Sequence, residues 1–167
     1  IFKDIAVIKT CHQTFLADLE AAGSKYGSQV ANPFISFSNY FKVSQQYIAN
    51  YPAITEILKK YEKNKKMKQK MIEIADSLDG RDLCSYLITP VQRMPRYLLF
   101  LRDLVKVTVK SHPDAELLPV AFECIDEVTR RIDKSTETSK NQQNLMKLQK
   151  MITNFTFLDK QRNLVMS

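Results

Sequence analysis

Glycine is scarce in this chain, with three residues in 167, and proline supplies only six. A turn-rich all-β protein needs more of both, so the deficit excludes sandwiches and barrels; Lys, Leu, Glu and Ala fill the intervals and point to an all-α fold. Histidine is nearly absent. His12 and His112 form no H-x-x-x-H spacing and join no Cys/His cluster, so no metal site is expected. The cysteines, Cys11, Cys84 and Cys124, are odd in number and far apart, which fits buried thiols in a reducing compartment better than a disulfide. No G-x-G-x-x-G, G-x-x-x-x-G-K-S/T or G-x-S-x-G string occurs, and carboxylates such as Glu20 and Asp76 are spaced like those of solvated helix faces. Hydrolytic or group-transfer catalysis therefore has no candidate residues, and no cofactor is implied. No apolar run reaches the roughly 18 residues that a membrane span requires, and the N-terminus lacks a signal pattern, so a soluble cytoplasmic domain is expected.

What the chain does have is helical periodicity over one domain's length. Ile1, Ile5, Ile8, Phe15 and Leu19 predict an amphipathic helix that stops at Gly23 and Gly27. Apolar residues at the extreme start, without a cap, read as a cut within a larger domain. Pro33 opens a second predicted helix carrying Phe34, Phe37, Phe41 and Ile48, and Asn50 with Pro52 reads as the cap and first turn of a third. A fourth bears Met67, Met71, Ile74 and Leu78 on one side and is broken by Asp79-Gly80. Leu83, Tyr86 and Leu87 predict a short helix, and a final one of about forty residues runs from Asp114, long by globular standards. The stretch 154–167 alternates loosely and reads as a linker.

Net charge is +7, and the densest basic run is Lys59, Lys60, Lys63, Lys65, Lys66, Lys68 and Lys70. Such a run reads first as a solvated helix face; contact with anionic lipid is the alternative. Tyr61 is its only aromatic residue, so a nucleic-acid groove is not expected.

The most informative stretch is 89–106, where a polar, basic start enters a dense apolar run. On a helix Gln92, Arg96 and Phe100 share one face, while Leu98, Leu101, Leu104 and Val105 fall on another side. Thr89, Pro90 and Gln92 fit a capping box, and Pro95 should kink the helix early. Read without any relative in mind, Gln92 is a capping residue, Arg96 a solubilising charge and Phe100 core.

Pro90-Val91-Gln92-Arg93-Met94-Pro95-Arg96-Tyr97-Leu98-Leu99-Phe100-Leu101 also resembles the signature helix of the Dbl-homology domain, whose usual form is P-V/I-Q-R-x-x-K/R-Y-x-L-L-L. Tyr40, Tyr47 and Ala49-Asn50-Tyr51-Pro52-Ala53 resemble the same family's middle region. The resemblance implies an elongated all-α bundle with a long C-terminal helix, a Dbl-homology domain over 1–153, and a linker over 154–167 toward a pleckstrin-homology domain. It implies a guanine-nucleotide exchange factor for a Rho-family small GTPase, acting in cytoskeletal signalling by binding and without covalent chemistry. Gln92, Arg96 and Phe100 would then line the face that meets the GTPase's second switch, and Asp133 on the last helix would contact the GTPase too. The family usually has Lys where Arg96 stands and Asn where Asp133 stands; Arg keeps the charge in a planar fork, and Asp keeps the shape but only accepts. The family's first helical segment, whose glutamate meets the first switch, has no counterpart after Ile1. Anionic lipid is an expected further partner, through an adjacent domain or the Lys59–Lys70 face. The alternative function is a helical scaffold that binds a GTPase or another protein without turnover.

Overall fold

The computed structural model describes residues 3–23, 29–77 and 80–165; for 139, 143 and 152–165 it describes the backbone course alone. Ile1, Gly27, Leu78 and Asp79, which figure in the sequence reading, lie outside the described residues. Every regular element among them is helical: α1 Lys3–Gly23, α2 Ala31–Phe37, a 3-10 turn Tyr40–Ser44, α3 Gln45–Glu62, α4 Lys65–Ser77, α5 Leu83–Leu87, α6 Thr89–Val107 and α7 Leu117–Val165. None of these helices is long and apolar enough to cross a membrane.

The periodic positions of α1 do what their spacing predicts: Ile8 and Phe15 are buried, two turns apart on one face. The break expected near Asn50 lies earlier. The Ser38 hydroxyl donates to the Ile35 carbonyl at 2.8 Å, competing for an acceptor at the end of α2, and the 3-10 turn then carries Phe41 into the core. Proline 52 sits inside α3 instead of starting a helix. Its missing N–H forfeits only one bond, to Ile48, and the exposed ring is tolerated because buried Tyr47, Ile54 and Leu58 hold the helix on both sides. Asn64 caps α4, its side-chain oxygen accepting from Lys66 N at 3.0 Å and Met67 N at 3.3 Å. Gly80, with φ of 72°, takes the left-handed conformation after α4, and Asp82 caps α5 by accepting from Ser85 N at 2.7 Å.

Thr89 does not cap α6. Its hydroxyl donates back to the Tyr86 carbonyl at 2.7 Å, and the Gln92 amide bonds to Ile88 O at 3.1 Å, because α5 abuts α6 closely enough to supply acceptors. The junction is fixed from outside by buried Tyr47, whose hydroxyl donates to the Leu87 carbonyl at 2.6 Å. Burial pushes the Tyr47 phenol up to about 12, with the Tyr51 phenol a second cause.

Helix α7 has 49 residues, about 70 Å of rise. Pro119 falls in its first turn, where the amide has no intrahelical partner. Leu118, Ala121, Ile125, Val128 and Ile132 are buried, whereas Leu145, Met146, Leu148 and Met151 are exposed. The start of α7 is thus a core helix as far as Ser135, whose hydroxyl accepts from Gln45 Nε2 at 2.7 Å, and the later turns project, which makes the bundle elongated. Residues 154–165, part of the stretch read above as a linker, continue the helix.

Asp114 ties the connection between α6 and α7 to α2. It is fully buried, and both carboxylate oxygens accept from the Ala31 amide, at 3.2 and 3.4 Å, where α2 begins without a side-chain cap of its own. Replacing it orphans that amide. Asp114→Ala is expected to cost about 2–3 kcal/mol in urea unfolding, and Asp114→Asn less, since the amide oxygen still accepts; equal stabilities of the two variants would remove Asp114's role as the cap of α2.

Candidate functional site

Helix α6 is held by its inner side. Met94 and Leu101 are buried, and Tyr97 joins an aromatic cluster with Phe15, Phe34 and Phe41, each ring centroid 5.5 Å from its own. The Arg93 guanidinium lies over the Tyr97 ring at 5.7 Å. With its underside packed and its start anchored through Leu87, α6 can present side chains in fixed positions.

The outer side carries the residues singled out by spacing. The Gln92 side-chain oxygen accepts from Arg96 Nη2 at 2.9 Å, so one end of the guanidinium fork is oriented along the helix while the rest faces solvent. Phe100 is 54% exposed, which overturns its reading as core; its ring only grazes Phe34 at 6.5 Å. Leu99, 50% exposed, stands beside it and was missed, because a Leu-Leu-Phe-Leu run reads as interior throughout. The result is an apolar pair one turn beyond an oriented cation, on the surface of a rigid helix.

Asp133 is exposed on α7. Helices α6 and α7 pack against each other, and Gln92 lies as far from the end of α6 at Val107 as Ile132 lies from the start of α7 at Leu117, so an antiparallel pairing would set Asp133 near the level of Gln92. Met94 and Ile132 share one buried cluster, in keeping with that register. Arg130 and Arg131 are paired along their own helix with Asp126 and Glu127, whereas Asp133 joins no ion pair among the described residues. Val105, placed by spacing with the core residues, instead lines a shallow groove between α6 and α7 with Arg102, Lys106, Pro119, Phe122 and Glu123.

His12 lies behind the site. Its ring stacks on Phe41 at 5.3 Å, and Nδ1 shares a hydrogen bond of 3.1 Å with the Tyr97 hydroxyl. Burial, and secondarily the Arg93 charge, lower its pKa to about 4. Between about 4 and the ordinary 6.5 the unfolded chain binds a proton that the folded chain does not. This part of stability is complete above 6.5 and lost as pH falls toward 4; about 3 kcal/mol for a ring wholly out of water, it is on the order of 2 kcal/mol for one that solvent partly screens. Urea unfolding at a series of pH values should show that decline, flattened in His12→Gln; a decline of the same depth in the variant would assign it to other groups. Cys11, Cys84 and Cys124 are free and half-buried, and no cluster of His, Cys, Asp or Glu among the described residues is arranged to hold a metal.

The family model for the RhoGEF domain matches residues 1–133. The chain belongs to the RhoGEF, or Dbl-homology, domain family. Among relatives of this RhoGEF domain, Rac guanine nucleotide exchange factor B of Dictyostelium discoideum is 32% identical over 125 residues, covering 71% of this chain and 10% of that protein. Guanine exchange factor for Rac 30 of the same organism is 28% identical over 156 residues, covering 92% of this chain and 10% of that protein. The chain thus spans about a tenth of the length of these curated relatives. The crystal structure of the DH domain of FARP2 superposes with a TM-score of 0.67 at 23% identity, covering 90% of this chain and 76% of that one, and so shares the all-α elongated fold. The α6 face lies wholly within the matched region, as does Asp133 at its last residue.

Proposed function

We propose that this RhoGEF domain accelerates nucleotide release from a Rho-family small GTPase by binding the nucleotide-free form more tightly than the loaded one. Such catalysis is differential binding: contacts made best with open switches lower the cost of losing the nucleotide, with no bond made or broken in the protein. The observation that carries the reading is the face of exposed Arg96, Leu99 and Phe100 beside half-buried Gln92, on a helix whose other side is locked into the core. An interface built this way has an apolar anchor and one oriented cation at its centre, the pattern that dominates binding energy in protein complexes. In this reading Arg96 pairs with an acidic or carbonyl group of the second switch, Gln92 hydrogen-bonds beside it, Phe100 and Leu99 bury apolar surface, and Asp133 accepts from a donor or a base. The names of the relatives, which specify Rac, support placing Rac in the first test.

The proposed exchange unit covers residues 1–153 and acts in the cytoplasm, with 154–167 leading toward a following domain. The measurement that tests the function is release of a fluorescent guanine nucleotide from Rac and Rho GTPases, with this chain and with a version extended at its N-terminus. Acceleration by either supports exchange. Binding of the nucleotide-free GTPase by both without any acceleration would replace exchange by a scaffold role, the reading that Asp133, an acceptor where the family has an amide, favours.

A further inference from the structure

The positive charge of this chain is concentrated at one place in the fold. Twelve positions, Lys59–Lys70, hold seven lysines and one acid, Glu62, a net +6 against +7 for the whole chain, so the rest of the molecule is nearly neutral. The run spans the end of α3 and the start of α4, two helices joined across Lys63 and Asn64, with the Asn64 cap fixing the turn. All seven lysines are exposed, and none is in an ion pair among the described residues, whose ion pairs involve Arg102, Lys106, Arg130 and Arg131. Helix α4 buries no residue completely and touches the bundle through half-buried Met71. Its outer surface is left uncovered.

From these observations we infer that the tip formed by α3 and α4 is a docking surface for an anionic lipid bilayer. Tyr61, Ile72 and Ile74 are 44%, 45% and 42% exposed; on α4 Ile72 stands one turn from Lys68 on one flank and Ile74 one turn from Lys70 on the other, so each flank pairs a lysine with an apolar neighbour. Lysines on long stems beside exposed apolar residues suit an interface where the charge meets headgroups and the stem and apolar neighbour meet the acyl boundary. Seven point charges without a single arginine suit a diffuse field of lipid phosphates and carboxylates better than the forked recognition of one acidic protein site. Tyr61 alone supplies no series of stacking platforms for bases. The inference is independent of the exchange reading and would hold in a pure scaffold.

The test is co-sedimentation of the full chain with vesicles of phosphatidylcholine alone and of phosphatidylcholine with phosphatidylserine, at low and high salt. Binding is expected only with phosphatidylserine and should weaken as salt shortens the range of the field. The variant carrying Lys65→Gln, Lys66→Gln, Lys68→Gln and Lys70→Gln should partition less by a factor on the order of a thousand, at about 1 kcal/mol per lysine. Its circular dichroism and its nucleotide release in solution should match the parent. A control with Lys3→Gln, Lys9→Gln, Lys110→Gln and Lys140→Gln removes the same charge elsewhere. Equal loss in the control, equal binding to phosphatidylcholine alone, or tighter association with a duplex oligonucleotide than with the anionic vesicles at the same salt would each overturn the inference.

Discussion

Arg96→Glu is expected to lower acceleration of nucleotide release by roughly a hundredfold or more while leaving the domain folded. Among the described residues Arg96 has one polar partner, the side-chain oxygen of Gln92 at 2.9 Å, and the residue is exposed, so reversing its charge should change stability by about 0.5 kcal/mol or less. In the proposed complex its guanidinium would be desolvated against the GTPase. Removing one member of a buried, hydrogen-bonded charge pair costs about 2–5 kcal/mol, and a carboxylate adds repulsion; each 1.4 kcal/mol is about tenfold. Arg96→Lys should fall in between, because the ammonium keeps the charge that the family usually places here but cannot hold Gln92 and the partner with one planar fork. The check is single-turnover release of a fluorescent nucleotide, with a melting curve of each variant beside it. Parent-like exchange by Arg96→Glu would remove this residue from the interface, and a low melting temperature would assign it a structural role instead.

For stability the largest single loss is expected at Phe15. Its ring is 1% exposed and sits among Phe34, Phe41, Phe37 and Tyr97 at centroid distances of 5.0, 5.1, 5.4 and 5.5 Å. The contacts with Phe34, Phe41 and Tyr97 are edge-on, the arrangement in which aromatic pairs gain beyond the area they bury. Phe15→Ala removes the hub of this cluster and leaves a cavity bounded by α1, α2, the 3-10 turn and α6, which cannot all collapse inward together. The expected cost is about 4 kcal/mol by urea unfolding, a large share of a typical domain's 5–15 kcal/mol. Phe15→Leu should cost about half of that. A loss under about 1 kcal/mol for the alanine variant would show that the cluster repacks and is not the keystone of the bundle. Because Tyr97 belongs both to the cluster and to α6, Phe15→Ala should also loosen the support behind Arg96.

Much of this architecture was legible from residue spacing. The buried pairs of α1 and the apolar run of α7 kept a helical period that tertiary contacts did not alter, since a continuous stripe has one obvious side to bury. Two boundaries misled for the same reason: local signals compete with contacts that spacing does not show. Asn50 and Pro52 look like a helix start, yet Tyr47, Ile54 and Leu58 pack as one side of an unbroken α3. Thr89 and Gln92 look like a capping box, yet α5 lies close enough for Thr89 to turn back to Tyr86. At the candidate site the four-residue steps of Gln92, Arg96 and Phe100 marked the face, and likeness to a signature helix gave it a meaning. Exposure of Leu99 and Val105 followed from neither, because an apolar residue on a core helix carries no local mark of which way it points.

The sequence by itself determined that this chain is all-α, because scarce glycine and helical periodicity are local properties that survive any arrangement of the helices, and the likeness of residues 90–101 to a signature helix pointed to the RhoGEF family. Only the tertiary structure decided which side of α6 is free, that Asp114 caps a helix far from it in sequence, and that the seven lysines between 59 and 70 stand exposed without an ion pair among the described residues. Each of these depends on which elements end up side by side, and that is set by the summed packing of the core, not by the neighbours of any one residue along the chain.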